Sequence, residues 1–194
     1  MQKEINNFLK DQNKCIDSLN NEIKILEKII FLLLRAQKNQ KTIFTFGNGG
    51  SGSTASHFVS DLLKTTITKN NKRFRSISLV DNVPVSLAWS NDQSFDSIFE
   101  EQLKNFLQKG DIIIAFSGSG KSKNVVNAIK YAKKNGGICI GFTGMTGGNF
   151  KKICDYSITV PSFDMLIIES VHLTLCHSII NSISKNGKPL FKYE

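Results

Sequence analysis

The sequence predicts an α/β fold, a parallel sheet flanked by helices on both faces, and two observations carry that prediction. Short apolar runs without helical spacing, at 41–46, 75–80, 110–116, 138–142 and 157–160, alternate with stretches whose apolar residues recur at steps of three and four. Two of these runs feed straight into Gly/Ser clusters, Gly47-Asn48-Gly49-Gly50-Ser51-Gly52-Ser53 and Ser117-Gly118-Ser119-Gly120-Lys121-Ser122, each just ahead of a helical pattern. Parallel strands buried on both faces read as continuous apolar runs. Ligands of such sheets bind beyond the C-terminal ends of the strands, which is where both clusters fall.

From Gln2 to about Lys38, the residues Ile5, Phe8, Leu9, Cys15, Ile16, Leu19, Ile23, Leu26, Ile30 and Leu33 trace a long amphipathic helix. So long a helix ahead of an α/β core exceeds what that core can cover, and it is expected to contact another copy of the chain. The 194 residues then divide into an N-terminal oligomerisation helix (1–38) and an α/β core (41–194) within one domain. After the first strand and its loop, residues 53–64 read as a helix and 65–73 as a polar, basic connection. The strand at 75–80 leads through Asp81-Asn82 into a short helix that Pro84 can begin and that ends at Trp89-Ser90-Asn91-Asp92. Residues 95–108 form an amphipathic helix. Another runs from Ser122 to about Lys134, with Val125, Val126, Ala128, Ile129 and Ala132 inward and Asn135-Gly136-Gly137 as its stop. A strand at 138–142, a Gly-rich turn at 143–148, a strand at 157–160 and a closing helix from about Asp164 to Ser184 complete the chain.

Composition narrows the function classes. The longest purely aliphatic or aromatic run, Ile29 to Leu34, is flanked by Lys28 and Arg35 and falls far short of the roughly 20 residues needed to cross a bilayer. The first residues lack the apolar segment of a signal peptide, so a cytoplasmic protein without a membrane partner is expected. Cys15, Cys139, Cys154 and Cys176 show no C-x-x-C spacing and read as free, buried thiols. A net charge of +9 suits anionic phosphorylated substrates as well as nucleic acid. No helix-turn-helix or aromatic-basic motif accompanies the run Lys69-Asn70-Asn71-Lys72-Arg73, so a solvated loop is expected there and no nucleic-acid partner.

The cluster Ser117–Ser122 combines three hydroxyls with the free N–H groups and positive dipole end of a helix, while Gly118 and Gly120 admit close approach of a ligand. That combination suits a phosphate group. Neither cluster has Walker A spacing or a dinucleotide fingerprint, which disfavours a nucleotide. Of the three histidines, His57 lies one helical turn before Asp61, and His172 and His177 share the last helix with Glu169. Glu169 and His177, eight residues apart, face the same way. Two helices thereby offer two imidazoles and two carboxylates.

Gly47-Asn48-Gly49-Gly50-Ser51 with downstream His57-Phe58, Asn91-Asp92, Ser117–Ser122, and the final helix with Glu169 and His177 together resemble the sugar isomerase (SIS) family, specifically its phosphoheptose isomerases. The resemblance spans nearly the whole chain. It implies a flavodoxin-like sandwich, a homotetramer with active sites between subunits, and conversion of sedoheptulose 7-phosphate to D-glycero-D-manno-heptose 7-phosphate for bacterial surface carbohydrate. Carried over by residue, it implies that Asn48, Gly49, Gly50, Ser51, Asn91, Asp92, Ser117, Gly118, Ser119 and Ser122 hold the phosphorylated ketose or aldose. His57, Asp61, Glu169 and His177 are implied as ligands of one Zn²⁺ per subunit, with Asp61, His177 and Glu169 also doing acid/base work. Asp61 stands where the family usually has Glu, Glu169 where it has Gln, and Gly118 where it has Thr. The alternative is a non-catalytic SIS-domain sugar-phosphate sensor or protein-binding adaptor, against which the retention of both His57 and His177 argues.

Overall fold

Five parallel strands, β1 (Thr42–Phe46), β2 (Arg75–Ser78), β3 (Ile112–Ser117), β4 (Ile138–Gly144) and β5 (Tyr156–Val160), form one sheet in the order β2-β1-β3-β4-β5. The computed structural model describes residues 1–187 and Leu190, so positions 188–189 and 191–194 of the expected domain lie outside the described residues. Alternate side chains of each strand enter opposite layers. Ile43, Ile112, Ile114, Phe116, Ile140, Phe142, Ile158 and Val160 pack under one set of helices, whereas Phe44, Phe46, Ile113, Ala115 and Cys139 pack under the other.

The first layer holds α1 (Gln2–Ser18), α2 (Ile23–Asn39), α3 (Gly50–Lys64) and α8 (Met165–Lys185). The second holds α5 (Ile98–Phe106), α6 (Lys123–Lys134) and α7 (Phe150–Ile153), with α4 (Val83–Asp92) beside α5. The expected double-sided α/β fold is therefore present. Buried Asp111 anchors its centre, because its carboxylate accepts from the backbone N–H of Thr42 at 2.9 Å and of Gln108 at 2.8 Å. The start of β3 is thus tied to the start of β1.

Several boundaries differ from the sequence reading for local reasons. The N-terminal helical path is interrupted by a 3₁₀ turn at Leu19–Glu22. There the Ser18 hydroxyl donates to the Cys15 carbonyl at 2.7 Å, and Asn20-Asn21 favour the helix weakly. Helix α3 begins at Gly50 rather than at 53, because Gly49 takes φ +55° at its N-cap and turns the chain at once. The expected helix at 95–108 opens with a 3₁₀ turn at Phe95–Ser97 and ends at Phe106. Strand β4 runs on through Gly144, two residues beyond Phe142, and β2 stops at Ser78. The single turn α7 carries no periodic signal long enough to read.

Helix α8 is long and apolar enough by composition to cross a membrane, yet its apolar stripe, Ile168, Val171, Leu175, Cys176 and Ile179, is buried in the first layer. The four thiols are free as expected. Burial pushes those of Cys139 and Cys154 up to about 12, and raises that of Cys176 as well, so these side chains serve as packing groups rather than nucleophiles.

His172 belongs to the same core. It is fully buried beside Phe116 and Phe142, its Nε2 lies 3.1 Å from the Thr143 carbonyl, and its Nδ1 has no hydrogen-bond partner among the described residues. The carbonyl can only accept, so Nε2 carries the proton and donates it. Burial lowers the imidazole pKa to about 4, against the opposing pull of that hydrogen bond. In the unfolded chain the ring binds its second proton near the ordinary value of 6.5, so the unfolded state takes up protons first as pH falls. Stability from His172 is complete above about pH 6.5 and declines towards pH 4, by on the order of 3 kcal/mol. Urea denaturation of the His172→Gln variant, which keeps a donor for Thr143, is expected to show a flatter decline than the unmodified protein across that window.

Candidate active site

Strands β1 and β3 are neighbours, but the chain leaves β1 for α3 in one layer and β3 for α6 in the other, which opens a crevice between them. The two Gly/Ser loops meet there. A Cβ on Gly47 would lie 2.8 Å from the Phe116 carbonyl, and Asn48 is hydrogen-bonded to Asn124 of α6. Ser122 is the N-cap of α6, yet its side chain makes no capping hydrogen bond, and no acidic residue occupies the first turn. The N-terminus of α3 is likewise uncapped by any side chain and free of acidic residues in its first turn. Both helix ends keep N–H groups available for an anion.

In the second loop the hydroxyls of Ser117 and Ser122 are 3.3 Å apart, and Ser119 Oγ accepts from the Lys121 N–H at 3.2 Å. The loop is braced from behind by β4 and the turn after it. Gly144 N–H donates to the Gly118 carbonyl and Asn149 N–H to that of Gly120, both at 2.9 Å. Gly120 has φ +62°, and a Cβ there would lie 2.5 Å from the Gly147 carbonyl, so a side chain has neither the conformation nor the room. Ser117 and Gly118 are buried, whereas Ser119 and Ser122 are partly exposed to the crevice.

Helix α8 closes the crevice from the side. The Met165 thioether occupies the space of a Cβ on Gly118, only 2.6 Å from that position, which gives a physical account of glycine there: Thr would displace Met165. One turn on, the Glu169 carboxylate fills the equivalent space at Gly50, in the first turn of α3, and Ser51 is buried beside it. Gly50, Ser53, Thr54, His57, Glu169, Ser170 and Leu173 line a hollow of about 270 Å³.

At the far end of that hollow the expected imidazoles converge. His57 Nε2 and His177 Nε2 are 3.1 Å apart, and Asp61 Oδ2 lies 3.5 Å from the first and 3.8 Å from the second. Two neutral imidazoles cannot present lone pairs to each other at this distance, so a proton or a cation must lie between them. These three residues can hold a metal, their ligand atoms all falling within 4.8 Å of one another. The edge of a tetrahedron with ligands at 2.0–2.1 Å is about 3.4 Å, close to the observed spacing. Glu169 lines the same hollow but is not a member of that trio.

Asn91 and Asp92 sit exposed in the last turn of α4, where Asn91 Nδ2 donates to Asp92 Oδ1 at 2.8 Å. Met165, Thr143 and Asn124 were not singled out from the sequence. Met165 and Asn124 look there like ordinary helix residues, and only Asn124, at the second position of a helix that follows a Gly/Ser loop, sat where a functional side chain could have been sought.

A family model described as "SIS domain" matches residues 7–144. The chain is 35% identical over 185 residues to the phosphoheptose isomerase of Aliarcobacter butzleri, covering 93% of this chain and 97% of that protein. It is 30% identical over 193 residues to that of Geobacter metallireducens, covering 99% and 100%. Among solved structures, phosphoheptose isomerase GmhA of Neisseria gonorrhoeae superposes with a TM-score of 0.88 at 24% identity, over 95% of this chain and 98% of that one, a likeness of fold.

The packing at Gly118 is open to test. Gly118→Ala is expected to cost no more than about 1 kcal/mol, because the Met165 thioether ends a flexible, partly exposed side chain that can swing aside, and Met165→Ala in the same chain to recover that cost. Chemical denaturation of both single variants and the double variant measures the coupling; strictly additive losses would show that the two side chains do not compete for one space.

Proposed function

The chain belongs to the phosphoheptose isomerase family of SIS-domain proteins, and we propose that the crevice between β1 and β3 is where it interconverts sedoheptulose 7-phosphate and D-glycero-D-manno-heptose 7-phosphate. This is an aldose–ketose isomerisation in heptose synthesis, which supplies bacterial surface carbohydrate. The observation that carries the reading is the convergence of His57, Asp61 and His177 on α3 and α8, two helices whose earlier turns meet the loops after β1 and β3.

In this reading the substrate phosphate lies on Ser117, Ser119 and Ser122 and the first N–H groups of α6, while Gly118, expected to admit the ligand, is covered by Met165. Asn48, Gly49, Gly50 and Ser51 hold the sugar chain, and Asn91 and Asp92 complete the substrate contacts. Isomerisation moves one proton between adjacent carbons and another between their oxygens, through an enediolate. Asp61 takes the carbon-bound proton on its carboxylate and returns it to the neighbouring carbon. His177 is assigned to relay the proton between the two oxygens through Nε2, a role this nitrogen fills only while it does not ligate a metal. Glu169 supplies the second carboxylate of the site.

His57, Asp61 and His177 are assigned as ligands of one Zn²⁺ per subunit; Glu169, the fourth ligand the family resemblance implies, faces Gly50 and would have to turn from it to reach the ion. A bound Zn²⁺ polarises a sugar carbonyl and stabilises negative charge on its oxygen. The donor set suits that ion, since imidazole and carboxylate in a near-tetrahedral spacing are its ordinary ligands.

The protein is further assigned to the cytoplasm, as a single-domain homotetramer. Ile5, Leu9, Ile23 and Phe31 of the N-terminal helices are half or more exposed, an apolar face that its own core leaves uncovered. Light scattering on dilute protein tests the assembly: a tetramer is expected, and a fully active monomer would overturn it.

The decisive assay is incubation of the zinc-supplied protein with sedoheptulose 7-phosphate, read by NMR. Conversion is expected, and its absence would favour a sensor or adaptor. The Ser119→Ala, Ser122→Ala double variant is expected to raise KM about 100-fold with the fold intact, from two lost hydrogen bonds to a charged group. An unchanged KM would remove the phosphate from this loop.

A further inference from the structure

Asn124, in the first turn of α6, is 1% exposed and spans the crevice to Asn48. Asn48 Nδ2 donates to Asn124 Oδ1 at 3.0 Å, and Asn124 Nδ2 donates to Asn48 Oδ1 at 2.8 Å. Two amides paired in this way could both be turned over without changing the pattern. A third contact removes that freedom, because the backbone N–H of Val125 donates to Asn124 Oδ1 at 2.9 Å, and a backbone N–H cannot accept. The oxygen of Asn124 is therefore fixed, and its nitrogen must face Asn48. The orientation of the Asn48 amide follows, leaving one N–H and one oxygen lone pair of that half-buried side chain for a ligand.

We propose that Asn124 is a positioning residue for the isomerisation: it sets which way the Asn48 amide faces and ties the loop holding the sugar to the helix end holding the phosphate. The proposal rests on the isomerase reading of this crevice. Without Asn124, the Asn48 amide is free to turn, and the sugar carbons lose their register against Asp61 and His177 while the phosphate contacts remain. The effect should fall on kcat more than on phosphate affinity.

Asn124→Ala tests this on the full chain. A fall in kcat of about 10–100-fold is expected, the scale of an ångström-sized misplacement. Affinity for inorganic phosphate should stay within about two-fold, since the α6 N-terminus and its serines are retained. Combining it with Asn48→Ala should cost no more than Asn48→Ala alone, because both remove one device. In ¹⁵N-labelled protein the Asn48 side-chain amide signals should shift and exchange faster with solvent. Unchanged kcat, additive losses in the double variant, or phosphate affinity lost in step with kcat/KM would each overturn the proposal. If Asn124→Ala does not fold, Asn124→Ser, which retains an acceptor beside the Val125 N–H, is read in the same way. Absence of turnover in the unmodified protein would defeat the functional reading instead; the Asn48 amide signals then decide separately, and if the substitution leaves them unmoved, Asn124 does not set that amide.

Discussion

The ligand edge of this protein depends on how closely α8 approaches the two loops that follow β1 and β3. Met165 and Glu169, one turn apart, fill the spaces that side chains at Gly118 and Gly50 would take. His172 continues the same stripe and reaches the Thr143 carbonyl at the end of β4. His177, further along, meets His57 of α3 at 3.1 Å. One helix thereby touches the loop after β3, the first turn of α3, the end of β4 and the histidine–aspartate trio. The bare backbone at Gly50 and Gly118 leaves those spaces to the two α8 side chains.

The chemistry is kept at the rim. Inside, burial holds the His172 imidazole neutral and the Cys139 and Cys154 thiols protonated, so these groups are unreactive at neutral pH. At the rim, His57 and His177 remain about half exposed and Asp61 about one-fifth exposed. Neither α3 nor α6 carries an acidic residue in its own first turn, and the Glu169 carboxylate of α8 faces that of α3.

The N-terminal helices show a different balance. Cys15, Leu19, Ile29, Leu33 and Ala36 are buried in the first layer. Ile5, Leu9, Ile23 and Phe31 are not, although they belong to the same apolar periodicity. A single three-and-four pattern thus serves two surfaces, one inside the chain and one left open, and the 3₁₀ turn at Leu19–Glu22 separates α1 from α2 along it.

The alternation of apolar runs with helical spacing determined the fold class, because strands buried on both faces and amphipathic helices differ in period wherever they occur. The same one-dimensional signals placed Gly47–Ser53 and Ser117–Ser122 at strand ends, and put His57 with Asp61 and Glu169 with His177 on common helix faces. Resemblance of those motifs to a family then supplied the roles. Short-range competition was less legible: the 3₁₀ turns, the early start of α3 at Gly49 and the single turn α7 depend on a few hydrogen bonds and one positive φ. Only the tertiary structure decided that His57, Asp61 and His177 come within 4.8 Å while Glu169 turns to Gly50, that Met165 explains a glycine at 118, and that Asn124 grips Asn48 across 76 positions of sequence. Those are distances between elements, set by how helices settle on a sheet, and no periodicity within one element encodes them.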